Sequence, residues 1–390
     1  MAHDKLYGIC ESKCFVETVS REQFEKEKDE KIRRLVLIKT GKEPLTDCTA
    51  MYLGKDTIKT IDYIETRFVT NMLGMFSGCT ALTSIPELDT SSATNTESMF
   101  SRCSSLTTIP ELDTRNVTDM DNMLRDCTAL TDVPELNTSK VKTMQSMFYG
   151  CTSLTSIPVL DTSNVTDMMM MFKGSTKLTT IPEIDTSNVT TMSEMFRNCS
   201  SLTTIPKLDT SNVINMSGMF QECTSLTSIP CLNTSNVLSM ESTFRSCSVL
   251  ETIPKLNTGK VTSMRFMFSG CKKLTSIPDL NLDSLVEAIT DTGNGVVWET
   301  DTSTIHMFRD CTSLTTFRYN SYALEGSRWQ IKEDFDVSPC PLDRESILKV
   351  FNGAKVVTGK TISISKTTNS YLSAEDKAII TAKGWTITVV

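Results

Sequence analysis

Histidine is almost missing from this chain of 390 residues, which holds only His3 and His306. A histidine-based metal or catalytic centre therefore has little to draw on. Long apolar runs are absent too, since no stretch approaches the roughly 18 residues that a membrane span needs. The opening Met1-Ala2-His3-Asp4-Lys5-Leu6 has no basic region followed by an apolar one, so neither Sec export nor membrane insertion is expected. A basic excess is lacking as well: 39 Lys and Arg against 47 Asp and Glu give a net charge of -8, which excludes a nucleic-acid footprint as the main feature. Sulfur is what abounds, with 21 Met and 14 Cys. Both residues usually enter cores for softness and size rather than for chemistry. Without an export signal, the cysteines are expected to be reduced thiols.

A length of 390 residues would ordinarily mean two or three globules, but self-alignment gives another organisation. Cysteine recurs at 79, 103, 127, 151, 199, 223, 247 and 271, always at multiples of 24, with Ser175 in the one gap. Proline (86, 110, 134 and onward to 278) and leucine (82, 106, 130 and onward to 274) keep the same period. Of the 21 Met, 17 fall in two columns of this repeat, headed by Met72 and Met75. They are expected to be core rungs. A degenerate first coil starts at Cys48, and the pattern resumes at Met307-Phe308-Arg309-Asp310-Cys311 after an insertion near 282–303.

Within a unit, Val165, Met168, Met171, Phe172 and Ser175 have the spacing of an apolar stripe on a short helix. The Asp-Thr-Ser-Asn run before it offers Asx-turn and N-cap chemistry. Leu-Thr/Ser-Thr/Ser-Ile-Pro reads as a short strand edged by a residue that cannot donate to a ladder. One helix and one strand cannot bury their faces alone, so the coils are expected to stack. At roughly 4.8 Å per strand, ten or so coils would extend over about 50 Å.

The unit Met147-Phe148-Tyr149-Gly150-Cys151-Thr152-Ser153-Leu154-Thr155-Ser156-Ile157-Pro158-Val159-Leu160-Asp161-Thr162-Ser163-Asn164-Val165-Thr166-Asp167-Met168 resembles the BspA-type leucine-rich repeat of bacterial surface proteins. This repeat is also found in tail-associated proteins of bacteriophages that infect gut bacteria. The resemblance covers about residues 48–320. It implies a leucine-rich-repeat fold and extracellular binding or adhesion, with no catalytic residues and no cofactor. The fold class expected is thus α/β: a leucine-rich-repeat solenoid of ~10 coils with one short helix and one short parallel strand per coil.

Two ends lie outside the repeat. Residues 1–47 are read as an attachment segment, with a capping-box signature at Ser20-Arg21-Glu22-Gln23 opening one short helix. The start Tyr7-Gly8-Ile9-Cys10-Glu11-Ser12-Lys13-Cys14 resembles that of phage tail or fibre proteins with related repeats. Residues 338–390 are read as an α+β C-terminal cap: a helix over Pro341–Phe351, a strand over Thr361–Ser365, a helix opened by Ser373 and a closing strand over 384–390. This segment also resembles the one that follows such repeats in phage and gut-bacterial surface proteins.

Several clusters invite a chemical reading beside a structural one. The cysteine column could approach disulfide range between coils, or serve as a small apolar ladder that one coil replaces by Ser175. Cys10 and Cys14 lack a second ligand pair for zinc. Asp113, Asp161, Asp185 and Asp209 share a column with Asn137, Asn233 and Asn257, which suits a calcium ladder or, equally, Asx turns that accept either residue. His306 sits where other coils carry Asn122, Ser146, Glu194 or Gly218, and is expected to face solvent. A glycosidase pair would have to come from Asp334 and Asp336, or from Asp283, Glu287 and Asp291, whose spacing carries no mechanism. Neither a metal nor an enzymatic activity is expected.

Surface positions remain. The Thr/Ser columns between Leu and Ile, represented by Thr107, Thr155, Thr179, Thr203 and Thr227, are expected to present a hydroxyl strip. Met169, Met170 and Phe266 are apolar where other coils are polar, and mark either a contact patch or ordinary drift of a solvated face. The column after proline runs from Glu87, Glu111 and Glu135 through Val159 and Glu183 to Lys207, Cys231, Lys255 and Asp279. The expected function is a non-enzymatic phage virion protein that contacts a host surface glycan or protein and joins other virion proteins through its N-terminal segment. The alternative is a bacterial cell-surface adhesin.

Overall fold

The computed structural model describes residues 5–6, 8–11, 15–18, 46–61, 64, 66–281, 290–291, 296–297, 307–320, 335–354 and 356–390. The chain forms two compact units, Met1–Asn188 and Val189–Val390. In each unit, coils of the 24-residue repeat stack on one another through backbone hydrogen bonds.

The segment read as a helix is a run of tight turns. Over 72–79, Met72, Gly74, Phe76 and Gly78 donate their N–H groups to the next coil, at Asn95, Glu97, Met99 and Ser101 (2.7–2.9 Å). The amides between them, Met75, Ser77 and Cys79, bond back three residues to Met72, Gly74 and Phe76. An α-helix would instead consume all of its interior donors within itself, four residues back. What redirects alternate donors is a left-handed residue at every fourth position: Gly74 and Gly78 at φ 57° and 76°, Asn122 and Asp126 at 55° and 57°. The inward positions are those expected, because Met72, Met75, Phe76 and Cys79 are all fully buried. Successive turns happen to share the apolar spacing of a helix.

The expected strand is mostly absent as well. In the Leu-Thr-Thr-Ile-Pro stretch the second residue makes the bond to the coil before, Thr131 to Thr107 at 3.0 Å and Thr179 to Thr155 at 3.3 Å, and the proline has no N–H to add. Parallel bridging lies instead one residue before the first Met column: Asn71–Asn95–Asp119–Thr143–Asp167 in the first unit and Thr191–Asn215–Ser239–Ser263 in the second. Regular strands form at the margins. In the first unit β1 (Lys5–Leu6) pairs in parallel with β4 (Thr60–Ile61), and β2 (Gly8–Glu11) pairs antiparallel with β3 (Phe15–Thr18). In the second, β5 (Ser276–Asn281) pairs in parallel with β8 (Thr316–Asn320), and β6 (Thr290–Asp291) pairs antiparallel with β7 (Val296–Val297). The helix expected after Ser20 and most of the insertion near 282–303 lie outside the described residues.

Each core is a set of ladders. Phe76 and Phe100 stack at 5.5 Å and Phe148 and Phe172 at 5.6 Å, with ring planes within 1°. In the second unit Phe196, Phe220, Phe244, Phe268 and Phe308 continue in the same manner at 5.7–6.3 Å. A buried threonine ladder runs beside them: Thr90, Thr114, Thr138 and Thr162 each donate a hydroxyl to the carbonyl 23 residues on, at 2.7–3.0 Å. Burying these hydroxyls is tolerable because each makes that bond; Thr66 at the head of the column is buried without one.

Beyond the repeat of the second unit, β9 (Phe335–Asp336), β10 (Lys360–Ile364) and β11 (Trp385–Val389) form a parallel sheet in the order β11-β10-β9. Helix α1 (Arg344–Gly353) is capped by Asp343, α2 (Lys366–Ser370) by Ser365, and α3 (Ala374–Thr381) by a Ser373–Asp376 capping box. The Asp376 carboxylate also pairs with Arg344 at 2.6 Å, and that guanidinium draws its carboxyl down to about 2. Cys340 prolongs the cysteine ladder, its thiol donating to Phe308 as Cys311 donates to Phe268. Among the described residues, no helix is long and apolar enough to cross a membrane.

Candidate interaction surface

The five expected hydroxyl residues, Thr107, Thr155, Thr179, Thr203 and Thr227, are exposed, as is the Thr/Ser column next to them. Their hydroxyls have work within the stack. Thr131 donates to the Thr107 carbonyl, Thr179 to Thr155 and Thr227 to Thr203, at 3.2–3.5 Å. Thr107, Thr155 and Thr179 share a column of the first unit, and Thr203 and Thr227 one of the second. Met169 and Met170 lie half-buried in the turn run of the first unit, and Phe266 half-buried in that of the second.

The Asp/Asn column builds turns. Asp89, Asn137, Asp161 and Asn233 each accept the N–H and the hydroxyl of the serine two residues on. Hydrogen bonds from Ser91, Ser163 and Ser211 hold the carboxyls of Asp89, Asp161 and Asp209 below the usual range, and Arg115 does so for Asp113. One side-chain oxygen of each is thus engaged in building the turn. Opposite behaviour marks the turn run of the first unit, where burial and neighbouring aspartates push Glu97 and Asp121 upward. Among the described residues, no group of three or more His, Cys, Asp or Glu is placed to hold a metal.

The cysteine column is chemically quiet. The thiols of Cys79, Cys103 and Cys127 donate to the carbonyls of Tyr52, Phe76 and Phe100 at 3.1 Å, and Ser175 makes the same bond to Phe148 at 2.7 Å. Burial pushes Cys79 up to about 11 and Cys127, Cys223 and Cys247 well above the ordinary thiol range, so little thiolate is available for oxidation or metal binding. Cys231 differs, being exposed in the column after proline.

That column, exposed throughout, carries Glu87, Glu111, Glu135, Val159 and Glu183 in the first unit and Lys207, Cys231, Lys255 and Asp279 in the second. Val159 is 67% exposed. Two further exposed apolar residues, Ile214 and Leu238, occupy successive coils at a position that is Thr in Thr70, Thr94, Thr118 and Thr262. Neither pair of columns was singled out from the sequence as an apolar patch. Nor were the cation–aromatic stacks of the turn run: Arg125 over Tyr149 at 4.4 Å with Lys173 at 5.5 Å, and Arg245 and Arg265 about Phe266. The signal available was their common spacing of 24, or of 21 for the Arg245–Phe266 pair.

The family described as "Mycoplasma protein of unknown function, DUF285" matches residues 46–156, 131–226, 153–251, 203–301 and 227–325. The chain belongs to the DUF285 family. Its matched segments overlap and run through nearly all of the 24-residue repeats. No curated protein matches the chain. Among solved structures it is similar to a leucine-rich-repeat protein of T. pallidum, at 23% identity over 38% of this chain and 72% of that one, with a TM-score of 0.30. A leucine-rich-repeat protein from Eubacterium ventriosum is 20% identical over 53% of this chain, of whose own length the match spans 56%, with a TM-score of 0.33. An internalin from Listeria monocytogenes is 15% identical over 80% of this chain and 82% of that one, with a TM-score of 0.26.

Proposed function

We propose that this DUF285 protein is a non-enzymatic interaction protein of the leucine-rich-repeat kind, acting at a surface. One observation carries the reading: buried positions repeat almost unchanged from coil to coil, whereas exposed ones vary in charge and apolarity. The interior ladders build a scaffold, and the varying exterior, Glu87 to Asp279 after proline and Met169, Met170 and Phe266 in the turn runs, supplies what a partner can distinguish. Thr107, Thr155 and Thr179 contribute exposed hydroxyl positions in the first unit, and Thr203 and Thr227 in the second. Residues 338–390 serve as the terminal cap, and residues 1–47 attach the chain to other proteins.

The favoured setting is a virion surface, with adhesion to a host-cell glycan or protein, and it rests on the resemblance of the repeat to phage tail-associated relatives. A bacterial cell surface is the second reading, favoured by the Mycoplasma description of the family. Binding of fluorescent full-length chain to candidate host cells, read by flow cytometry, tests the common claim. Saturable binding, competed by unlabelled chain, is expected; absence of binding to every cell of the source community contradicts it. Mass spectrometry of purified phage particles and of washed bacterial envelopes separates the settings, the protein being expected in the particles.

A further inference from the structure

In the second unit, two guanidinium groups converge on one phenyl ring. The Arg245 and Arg265 carbons lie 5.1 and 5.4 Å from the Phe266 centroid, within cation–π range. Phe266 is held at φ 55°, where other coils of the unit place Glu194, Gly218 and Ser242 at 56°, 62° and 56°. That region disfavours side chains, bulky ones most of all. Because glutamate, glycine or serine builds the same turn in this unit, the turn itself gives no reason for phenylalanine.

A second observation concerns the neighbouring arginine. Its Nε is buried and has no hydrogen-bond partner among the described residues. A buried donor without an acceptor is costly, and nothing among the described residues ties this guanidinium down through Nε. Elsewhere in the turn runs arginines have carboxylates beside them, Arg125 with Asp126 and Arg197 with Glu194. A guanidinium offers a planar fork of donors that suits a carboxylate, and Arg beside an aromatic ring is a composition enriched in protein-binding hot spots.

We propose that Arg245, Phe266 and Arg265 form a carboxylate-binding site for an acidic segment of a protein partner. The proposal rests on the surface-interaction reading and names the class of partner. Phe266 aligns the two cations and adds an apolar edge, while the outer guanidinium nitrogens of Arg245 and Arg265 donate to the carboxylate.

The test uses the full chain and a fluorescein-labelled peptide of alternating Glu and Leu, followed by anisotropy at low ionic strength. With a net charge of -8, the protein as a whole repels such a peptide, so saturable binding reports a local site. Saturable binding is expected, at least tenfold weaker in Arg245→Gln and in Arg265→Gln, and absent for a Gln/Leu peptide. Phe266→Asn should weaken binding at least fivefold without lowering the melting temperature, since Asn122 holds φ 55° at the equivalent position. No saturable binding, full binding by Arg265→Gln, or a lowered melting temperature in Phe266→Asn overturns the proposal. Stronger binding of polygalacturonate than of the peptide overturns the choice of a protein partner. If the peptide fails while the chain still binds cells, the site is wrong and the surface-interaction reading stands.

Discussion

Ser175 is the residue that explains the cysteines. It occupies the one column position without sulfur, is equally buried, and makes the same bond to the preceding coil's carbonyl. What the position selects is a small side chain with a hydrogen to donate, not a redox or metal-binding thiol. Cys127→Ser should therefore cost less than Cys127→Ala, which loses the bond to Phe100 and leaves a gap. The Ala variant is expected to be about 1–2 kcal/mol less stable than the parent, and the Ser variant within about 1 kcal/mol of it, as measured by urea unfolding. Equal costs for the two would contradict this account.

Turns rather than helices give the element its sequence rules. Gly78, Gly150, Gly174 and Gly270 precede the Cys/Ser column at φ between 68° and 78°, and other coils place Asp126 or Asn198 there. At Gly150 a Cβ would also run into the Asp126 carboxylate from the coil before. Gly150→Ala is expected to lower stability by about 1–2 kcal/mol, checked by thermal unfolding; a neutral substitution would mean that the left-handed turn is not formed. The period, the inward face and, of the elements from Arg344 onward, all but α2 (Lys366–Ser370) were legible in the sequence, because burial and capping leave regular marks such as Met72, Phe76, Cys79 and Ser373–Asp376. Backbone conformation was not. Three- and four-residue apolar spacing is shared by helices and by successive turns, and only the recurring Gly, Asn and Asp two positions after Phe distinguish them. The buried Thr90–Thr162 ladder was hidden for a related reason, since Asp-Thr-Ser-Asn also reads as a solvated cap. Of the surface positions, at least one Thr column was expected to face outward and both do, whereas the Arg245–Phe266 contact joins residues of adjacent coils whose turn geometry was not foreseen.

At the scale of the whole molecule, repetition separates what holds the coils together from what they display. Stacking is a backbone matter, with alternate amides of each turn run bonded to the next coil and phenylalanine, cysteine and threonine ladders behind them. Side chains outside are then free to differ, acidic after proline in the first unit and mixed in the second. The proposed role as a scaffold for recognition rests on this division, and the division depends on the turn-run bonding. Scalar couplings across hydrogen bonds, measured by NMR on deuterated full-length protein, test that directly. The account predicts couplings from the Leu124 amide nitrogen to the Met147 carbonyl carbon and from Phe148 to Met171, matching hydrogen bonds of 3.1 and 2.9 Å. Couplings from Leu124 to Met120 and from Phe148 to Met144, four residues back as in an α-helix, would contradict it.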